Sequence, residues 1–438
     1  MLLLPTREAL NNFFVYTLFI FSSFSIAGTE ASIVLLYLLG IYGLLKTRSW
    51  PRMENPLLWM ILLFTAFTVF NGMLGEYRID PWESLRSNWR LMLPFVLIPL
   101  LEQVDEKKLL MFFFSFLALF SLYGFIQYFT GVDWLRPEES SLATPYLAAG
   151  EESGVFHAKG NYSHHLTFGG VMLICSAMSL SLVFCRDWWM GDRLFYILTS
   201  GLIMISAVAS LGRSIWLGLV VALFVLLVRI SPRLMLGAAI LFALLVGSLF
   251  MQYGSGPLSE SRLETRLDIV RHRLLSGFNM NANRDRLLMW EGAVEGIQDH
   301  FWLGIGHAMD AEVMESYRER ITAETGHRFT NPASAGVHNI YLQTWLNYGL
   351  TGFAAYLGIW IVFFSQALSG LKSTEPYDFS NCILWGVVAG LTGFMTAGIF
   401  ENNFRDAEVQ TILLMGIGLV NFQIQKARRP AMMRFRFH

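Results

Sequence analysis

Long apolar runs alternate with short polar connectors along most of the chain. Each run approaches the roughly 20 residues that an α-helix needs to cross a bilayer. A hydrocarbon interior offers backbone groups no water, so runs of this kind are read as helices. About 12 spans are predicted, at 11–28, 30–46, 57–74, 90–101, 109–130, 163–185, 194–210, 214–229, 234–252, 349–371, 381–400 and 407–424. The fourth is short for a crossing, and a start near Trp82 or a tilt would lengthen it.

Two polar stretches interrupt the pattern, 131–162 and 253–337. The second is large enough for a subdomain and holds two helical periodicities. Residues 261–275 put Leu263, Leu267, Val270 and Leu274 on one stripe, with Ser261 and Glu264 at capping-box spacing. Residues 284–298 put Leu287, Trp290, Val294 and Ile297 on another, with Asn283 as N-cap. Both helices are expected on the membrane face or against the spans. The resulting fold class is all-α, a polytopic membrane protein. Its expected parts are a 1–252 helical region, a 253–337 loop domain, 338–425 spans and a basic 426–438 tail.

Charge orients this array through the positive-inside rule. With both termini in the cytoplasm, inner connectors hold Lys46, Arg48 and Arg52, then Lys107 and Lys108, then Arg186 and Arg193. Arg229 and Arg233, Lys372, and Lys426, Arg428 and Arg429 follow on the same side. Both long loops then lie outside, with Arg86, Arg90 and Arg213 at outer helix ends. The N-terminus leads into an apolar run with no small-residue cleavage site, so it is read as an uncleaved first span.

Composition agrees. Charged residues make up 15% of the chain, against about 25% in soluble proteins, and mean hydropathy is +0.47. Net charge is -1, which gives no global field for nucleic acid. Cys175, Cys185 and Cys382 all fall in or beside apolar runs, so neither a disulfide framework nor a metal-ligand spacing is predicted.

Few residues carry chemistry. His338 stands at the mouth of an apolar helix, after the long outer loop. An imidazole titrates near neutrality and can take a proton from a substrate hydroxyl. The plainer alternative is an interfacial ring satisfied by backbone or water. Arg213, between two closely spaced spans, either snorkels outward or faces a polar cavity. Arg284 and Arg286 open the second loop helix. Guanidinium forks suit phosphate oxygens, and several would stabilise a departing diphosphate. Singly, each is equally an anchor for lipid headgroups, and Arg262, Arg266, Arg271 and Arg273 read as a solvated face. Asn339, His164, His165, Arg90 and Arg405 are further candidate pocket residues on the same side. Of the adjacent His164 and His165, at most one is expected to point into a site. Glu401, Asn402, Asn403, Arg405 and Asp406 form a short outer hinge, either lining a cavity or making a capped turn. No nucleotide-binding glycine loop and no H-E-x-x-H occurs, so neither nucleotide nor catalytic metal is indicated. An extracytoplasmic enzyme without either needs an already activated donor.

The run HNIYLQTWLNYGLTG matches the pattern H-[NSQ]-x9-G-x2-[GTY] through His338, Asn339, Gly349 and Gly352. In this it resembles the O-antigen ligase and O-antigen polymerase superfamily of bacterial envelope glycosyltransferases. Arg213 with Leu217 resembles the R-x3-L pattern of the ligases. The stretches RLLMWEGAVEGIQDHFWLGIG and GNYSHHLTFGG are similar to family segments before the histidine and at the start of the middle spans. The resemblance implies a GT-C-like protein of the bacterial inner membrane, working on its periplasmic face. The implied donor is a glycan on undecaprenyl diphosphate, and the acceptor a lipid A–core sugar hydroxyl. His338 would activate the hydroxyl, while Arg213, Arg284 and Arg286 would hold the diphosphate. The reaction would be inverting, with no metal or other cofactor, and membrane lipids would surround the protein. The alternative within the class is a polymerase, with a second lipid-linked repeat as acceptor. A transporter of lipid-linked glycans would instead need ionisable residues in mid-span, and the spans are nearly free of them.

Overall fold

The computed structural model describes residues 7–47, 55–135, 145–148, 151–237, 239–240, 283–307, 309–330 and 332–428. The helices are α1 (Arg7–Phe21), α2 (Ile26–Thr47), α3 (Pro56–Leu74), α4 (Pro81–Asn88), α5 (Leu93–Leu101), α6 (Glu106–Thr130), α7 (His165–Val183), α8 (Met190–Ala209) and α9 (Arg213–Ile230). Within the second long loop lie α10 (Arg284–Asp299) and α11 (Asp310–Thr325), and after it come α12 (Ile340–Ser373), α13 (Phe379–Ala397) and α14 (Ala407–Arg428). Nine of these are long and apolar enough to cross a membrane. The protein is an all-α polytopic membrane protein.

Local chemistry sets several boundaries. Asn55 caps α3 by accepting from the Leu57 N–H at 3.0 Å, with Pro56 at the first helical position. Asp105 caps α6, which ends at Gly131 in the left-handed region. The core lies along α7, α13 and α14, whose spans are the most enclosed. Gly218 of α9 and Gly393 of α13 let two backbones meet; a Cβ on Gly218 would sit 2.7 Å from the Gly393 carbonyl oxygen.

Among the described residues, the expected inner basic residues Lys107, Arg186, Arg229 and Lys426 gather at one end of the bundle. Lys426 pairs with Glu106 at 2.6 Å, Arg186 with Glu375, and Arg229 donates to Ser181 Oγ at 2.8 Å. Lys107 lies over the rings of Trp188 and Phe379. Arg213, Arg286, His338 and Glu401 lie at the opposite end, near the starts of α9, α10, α12 and α14.

Several expectations change. The predicted 90–101 span is not one helix: α4, a 3-10 turn at Trp89–Met92 and the nine-residue α5 succeed one another. Pro94 and Pro99 lack the amide hydrogens a continuous helix needs, and nine residues reach only about 14 Å. Within 131–162 an antiparallel hairpin forms, β1 (Pro145–Ala148) with β2 (Glu151–Phe156), which the helical periodicity did not reveal. The 261–275 pattern and most of the 234–252 span lie outside the described residues.

The packed face of α10 is rotated from the predicted stripe. Met289, Gly292, Ala293, Gly296 and Ile297 are buried, while Leu287 and Val294 are exposed. Glycine decides this: a Cβ on Gly296 would meet Leu346 Cδ1 at 2.9 Å, and one on Gly292 would meet Ile321 at 3.2 Å. Close approach along the small side gives more contact than the larger apolar side could.

Candidate functional site

The motif from His338 to Gly352 is a docking device. α12 is broken at Gly349, whose φ of 63° and ψ of -176° suit only glycine. The turn 301–306 fills the break. Leu350 N–H donates to Phe301 O at 2.9 Å, Ile305 N–H to Leu346 O at 2.9 Å and Gly306 N–H to Asn347 O at 2.8 Å. Asn71 of α3 donates to the Tyr348 carbonyl and, at 3.0 Å, to Thr351 Oγ1. Backbone groups orphaned by the kink thus find partners, and the outer loop is held against the short helical segment that follows His338.

Asn339 is the N-cap of α12; its side chain accepts from the Tyr341 and Leu342 N–H groups at 2.9 and 3.0 Å. Its amide oxygen therefore serves the helix. His338, just before it, has a φ of 49°, a costly conformation for a residue with a Cβ. That conformation accompanies a contact of His338 Nδ1 with Glu401 Oε1 at 2.8 Å. Glu401 is buried, and its other oxygen lies 3.5 Å from Arg286 Nη2. Asn402 N–H also donates to Oε1 at 3.2 Å. Burial pushes the Glu401 carboxyl up, but the His338 hydrogen bond and charge, Arg286 and the Asn402 N–H outweigh it and hold it below the usual range. An ionised carboxylate only accepts, so Nδ1 carries a hydrogen, and in the neutral form of the ring the lone pair falls on Nε2.

Arg213 begins α9 two residues after Leu211, another left-handed non-glycine residue at φ 56°. Its Nη2 donates to Asn283 Oδ1 at 2.9 Å. Asn283 precedes α10, but its side chain makes no cap hydrogen bond with the helix. Asn283 thus holds the predicted N-cap position, but its side-chain oxygen serves Arg213, a stronger donor than a backbone amide. Arg284 is exposed, with no hydrogen bond or ion pair to a described residue. Between it and Arg286, Asp285 is bound by the Thr330 N–H at 3.0 Å, by the Thr330 hydroxyl and by His327. Burial raises the Asp285 carboxyl, and those Thr330 and His327 bonds bring it below the usual range.

His164 is the N-cap of α7, its Nδ1 accepting from the Leu166 N–H at 3.3 Å. Desolvation lowers its pKa; the nearby Glu401 works against this and His338 adds to it. Its ring centroid is 4.3 Å from that of His165, which lies 4.3 Å from that of His157. Arg405 donates to the His307 carbonyl at 2.9 Å, tying the hinge to the outer loop. Arg90 pairs with Glu30 and lies over the Trp89 ring, so its charge is answered away from His338.

The sequence had not singled out Glu401 from its hinge. The only local sign was a carboxylate between apolar spans, where an unpaired charge is expensive. Among the described residues, no group of three or more His, Cys, Asp or Glu side chains is arranged to hold a metal ion.

The arrangement favours an anion. α7, α9, α10, α12 and α14 all begin in this neighbourhood, linked by the contacts above and by bonds of Asn403 Nδ2 to Leu166 O (2.9 Å) and Thr167 Oγ1 to Asp406 (2.6 Å). Each helix N-terminus carries partial positive charge and unpaired N–H groups. Arginine at the start of α9 and α10 opposes that dipole, so these positions cost stability unless an anion offsets them.

Residues 198–357 match a family model described as O-antigen ligase. That region of the chain is similar to the O-antigen ligase family. It begins within α8, ends within α12 and contains Arg213, Arg284, Arg286, His338 and Asn339. Glu401, His164, His165, Arg90 and Arg405 lie outside it. The match supports placement in the O-antigen ligase/polymerase superfamily and a glycosyltransferase activity of that general kind. No curated protein matches the chain. The matched region thus spans both guanidinium-bearing helix starts and the imidazole, while the carboxylate that meets His338 comes from beyond it.

Proposed function

We propose that this protein moves a glycan from undecaprenyl diphosphate to a sugar hydroxyl of lipid A–core, at the periplasmic face of the bacterial inner membrane. The observation that carries this reading is the contact chain from His338 Nδ1 through the buried Glu401 to Arg286. Glu401 fixes the imidazole so that Nε2 accepts the proton of the acceptor hydroxyl. That hydroxyl oxygen then bonds to the anomeric carbon. The bond from that carbon to the diphosphate oxygen breaks, its electron pair leaving with undecaprenyl diphosphate. Arg213, Arg284 and Arg286, with the helix N-termini beside them, stabilise the departing charge. Attack opposite the leaving group inverts the anomeric centre.

The test is transfer with purified components. Wild-type protein should convert a polyprenyl-diphosphate glycan and lipid A–core into the ligated product, and should continue in excess chelator. His338→Ala should remain in the membrane and lose transfer. A product formed only between two donor molecules would make the protein a polymerase. Transfer retained by His338→Ala would remove the proposed base.

A further inference from the structure

A cavity of about 230 Å³ opens between the α1–α2 turn, the segment before α7 and the start of α14. Its walls continue into the site. Asn161 and Tyr162 precede His164 by a few residues, and Ala407 and Glu408 follow the hinge that carries Glu401. Asp406 lies within electrostatic range of both Glu401 and Glu408. The cavity's chemistry is nonetheless the reverse of the arginine side. Among the described residues no basic side chain lines it, and Glu30 of its wall is paired with Arg90.

The donors of its walls are directed at backbone carbonyls. Ser22 Oγ donates to Phe19 O at 2.8 Å, Thr29 Oγ1 to Ser25 O at 2.7 Å and Thr411 Oγ1 to Ala407 O at 2.7 Å. Asn161 donates its amide to Phe24 O, and Tyr162 its hydroxyl to Ser23 O at 3.3 Å. What the cavity presents inward is therefore mostly oxygen acceptors, including the Glu30 and Glu408 carboxylates, beside the Phe24 ring. Carboxylates hold up to four lone-pair sites each, so a partner on one oxygen leaves room for another. The N–H groups at the starts of α2 and α14 add donors to these acceptors, so the cavity suits a neutral ligand that both donates and accepts hydrogen bonds and has an apolar face. Its volume is below the roughly 300–1,000 Å³ of drug-sized sites, so it suits one sugar ring and not a lipid chain.

Resting on the glycan-transfer reading above, we infer that this cavity binds a non-anionic sugar ring of the acceptor, apart from the diphosphate donor. The two substrates are separated in place: the donor's diphosphate belongs among the arginines, and the acceptor's sugar hydroxyls in this cavity, which holds the Glu30 and Glu408 side chains.

The test measures transfer at varied acceptor under saturating donor, then the converse. Glu408→Gln keeps size and removes one charged acceptor; it should raise the acceptor KM about tenfold and leave the donor KM unchanged. Ile26→Trp at the exposed rim should do the same by crowding the cavity, with little risk to folding. Thermal unfolding in detergent confirms that both variants fold. An unchanged acceptor KM in both folded variants, or a rise in donor KM instead, overturns the inference. A wild-type protein that transfers no glycan at all would overturn the functional reading itself, a result distinct from either.

Discussion

Replacing Glu401 with glutamine separates the proposed brace from simple packing. The side chain keeps its shape, so the buried site suffers no cavity. Its charge is lost, however, between His338 Nδ1 at 2.8 Å and Arg286 at 3.5 Å. An ionised carboxylate can meet only an N–H at Nδ1, whereas an amide can turn its NH2 group there. The ring hydrogen then moves to Nε2, and the base is gone. General-base catalysis contributes about 10²–10⁴-fold, so kcat should fall by at least a hundredfold while the donor KM changes little. Glu401→Ala should also unfold more easily, by about 1–3 kcal/mol, because it removes the acceptor that meets the His338 Nδ1 and the half-buried Arg286. The depressed carboxyl pKa adds a pH signature. Its stabilising contribution is present above the ordinary value of 4.5 and is lost as pH falls through the lower folded value. The assay is steady-state transfer by purified protein in detergent, with thermal unfolding as control. A kcat within threefold of wild type in Glu401→Gln would refute the brace. A raised donor KM with kcat intact would assign the carboxylate to Arg286 and the diphosphate instead.

Arg213→Lys keeps the charge but loses the planar fork that reaches Asn283 at 2.9 Å. Donor KM should rise about tenfold; an unaltered value would take Arg213 out of the diphosphate site. Burial first, with Glu408 and Glu401 adding, raises the Asp406 carboxyl to about 6 against the Thr167 bond and Arg405. A raised folded pKa means that its stabilising contribution is complete below the unfolded value near 3.8 and is lost as pH climbs through 6. Asp406→Asn should therefore raise thermal stability at pH 8 by about 2 kcal/mol and change it little at pH 4; equal effects at both would contradict the burial argument. Gly349→Ala would place a Cβ 2.2 Å from Trp302 O in a backbone region reserved for glycine. It should cost about 3 kcal/mol or more, and a wild-type melting temperature would show that the turn at 301–306 does not need the kink.

Much of this architecture was legible in the chain. Nine of the 12 predicted runs correspond to long apolar helices, and the described Lys107, Arg186, Arg229 and Lys426 of the predicted inner connectors gather at one end of the bundle. The tenth predicted span begins at residue 349, where α12 breaks. Such features follow from one-dimensional causes: a helix satisfies its own backbone bonds, and the transfer cost of each residue sums along the sequence. Residue types suited to the chemistry, the imidazole and the guanidinium groups, were visible for the same reason.

Other features belonged to the tertiary structure alone. Glu401 meets a histidine 63 residues earlier, and no local periodicity encodes that meeting. Asn283 looked like a cap until Arg213 reached it from another helix. The buried side of α10 was set by the glycines that let α11 and α12 approach, not by its largest apolar residues. The sequence by itself determined which segments leave water and which groups could carry charge at their ends. Which of those groups share an ion pair, which face is packed and which cavity remains depended on contacts between distant segments, because short-range electrostatics and packing act only once the chain has brought them together.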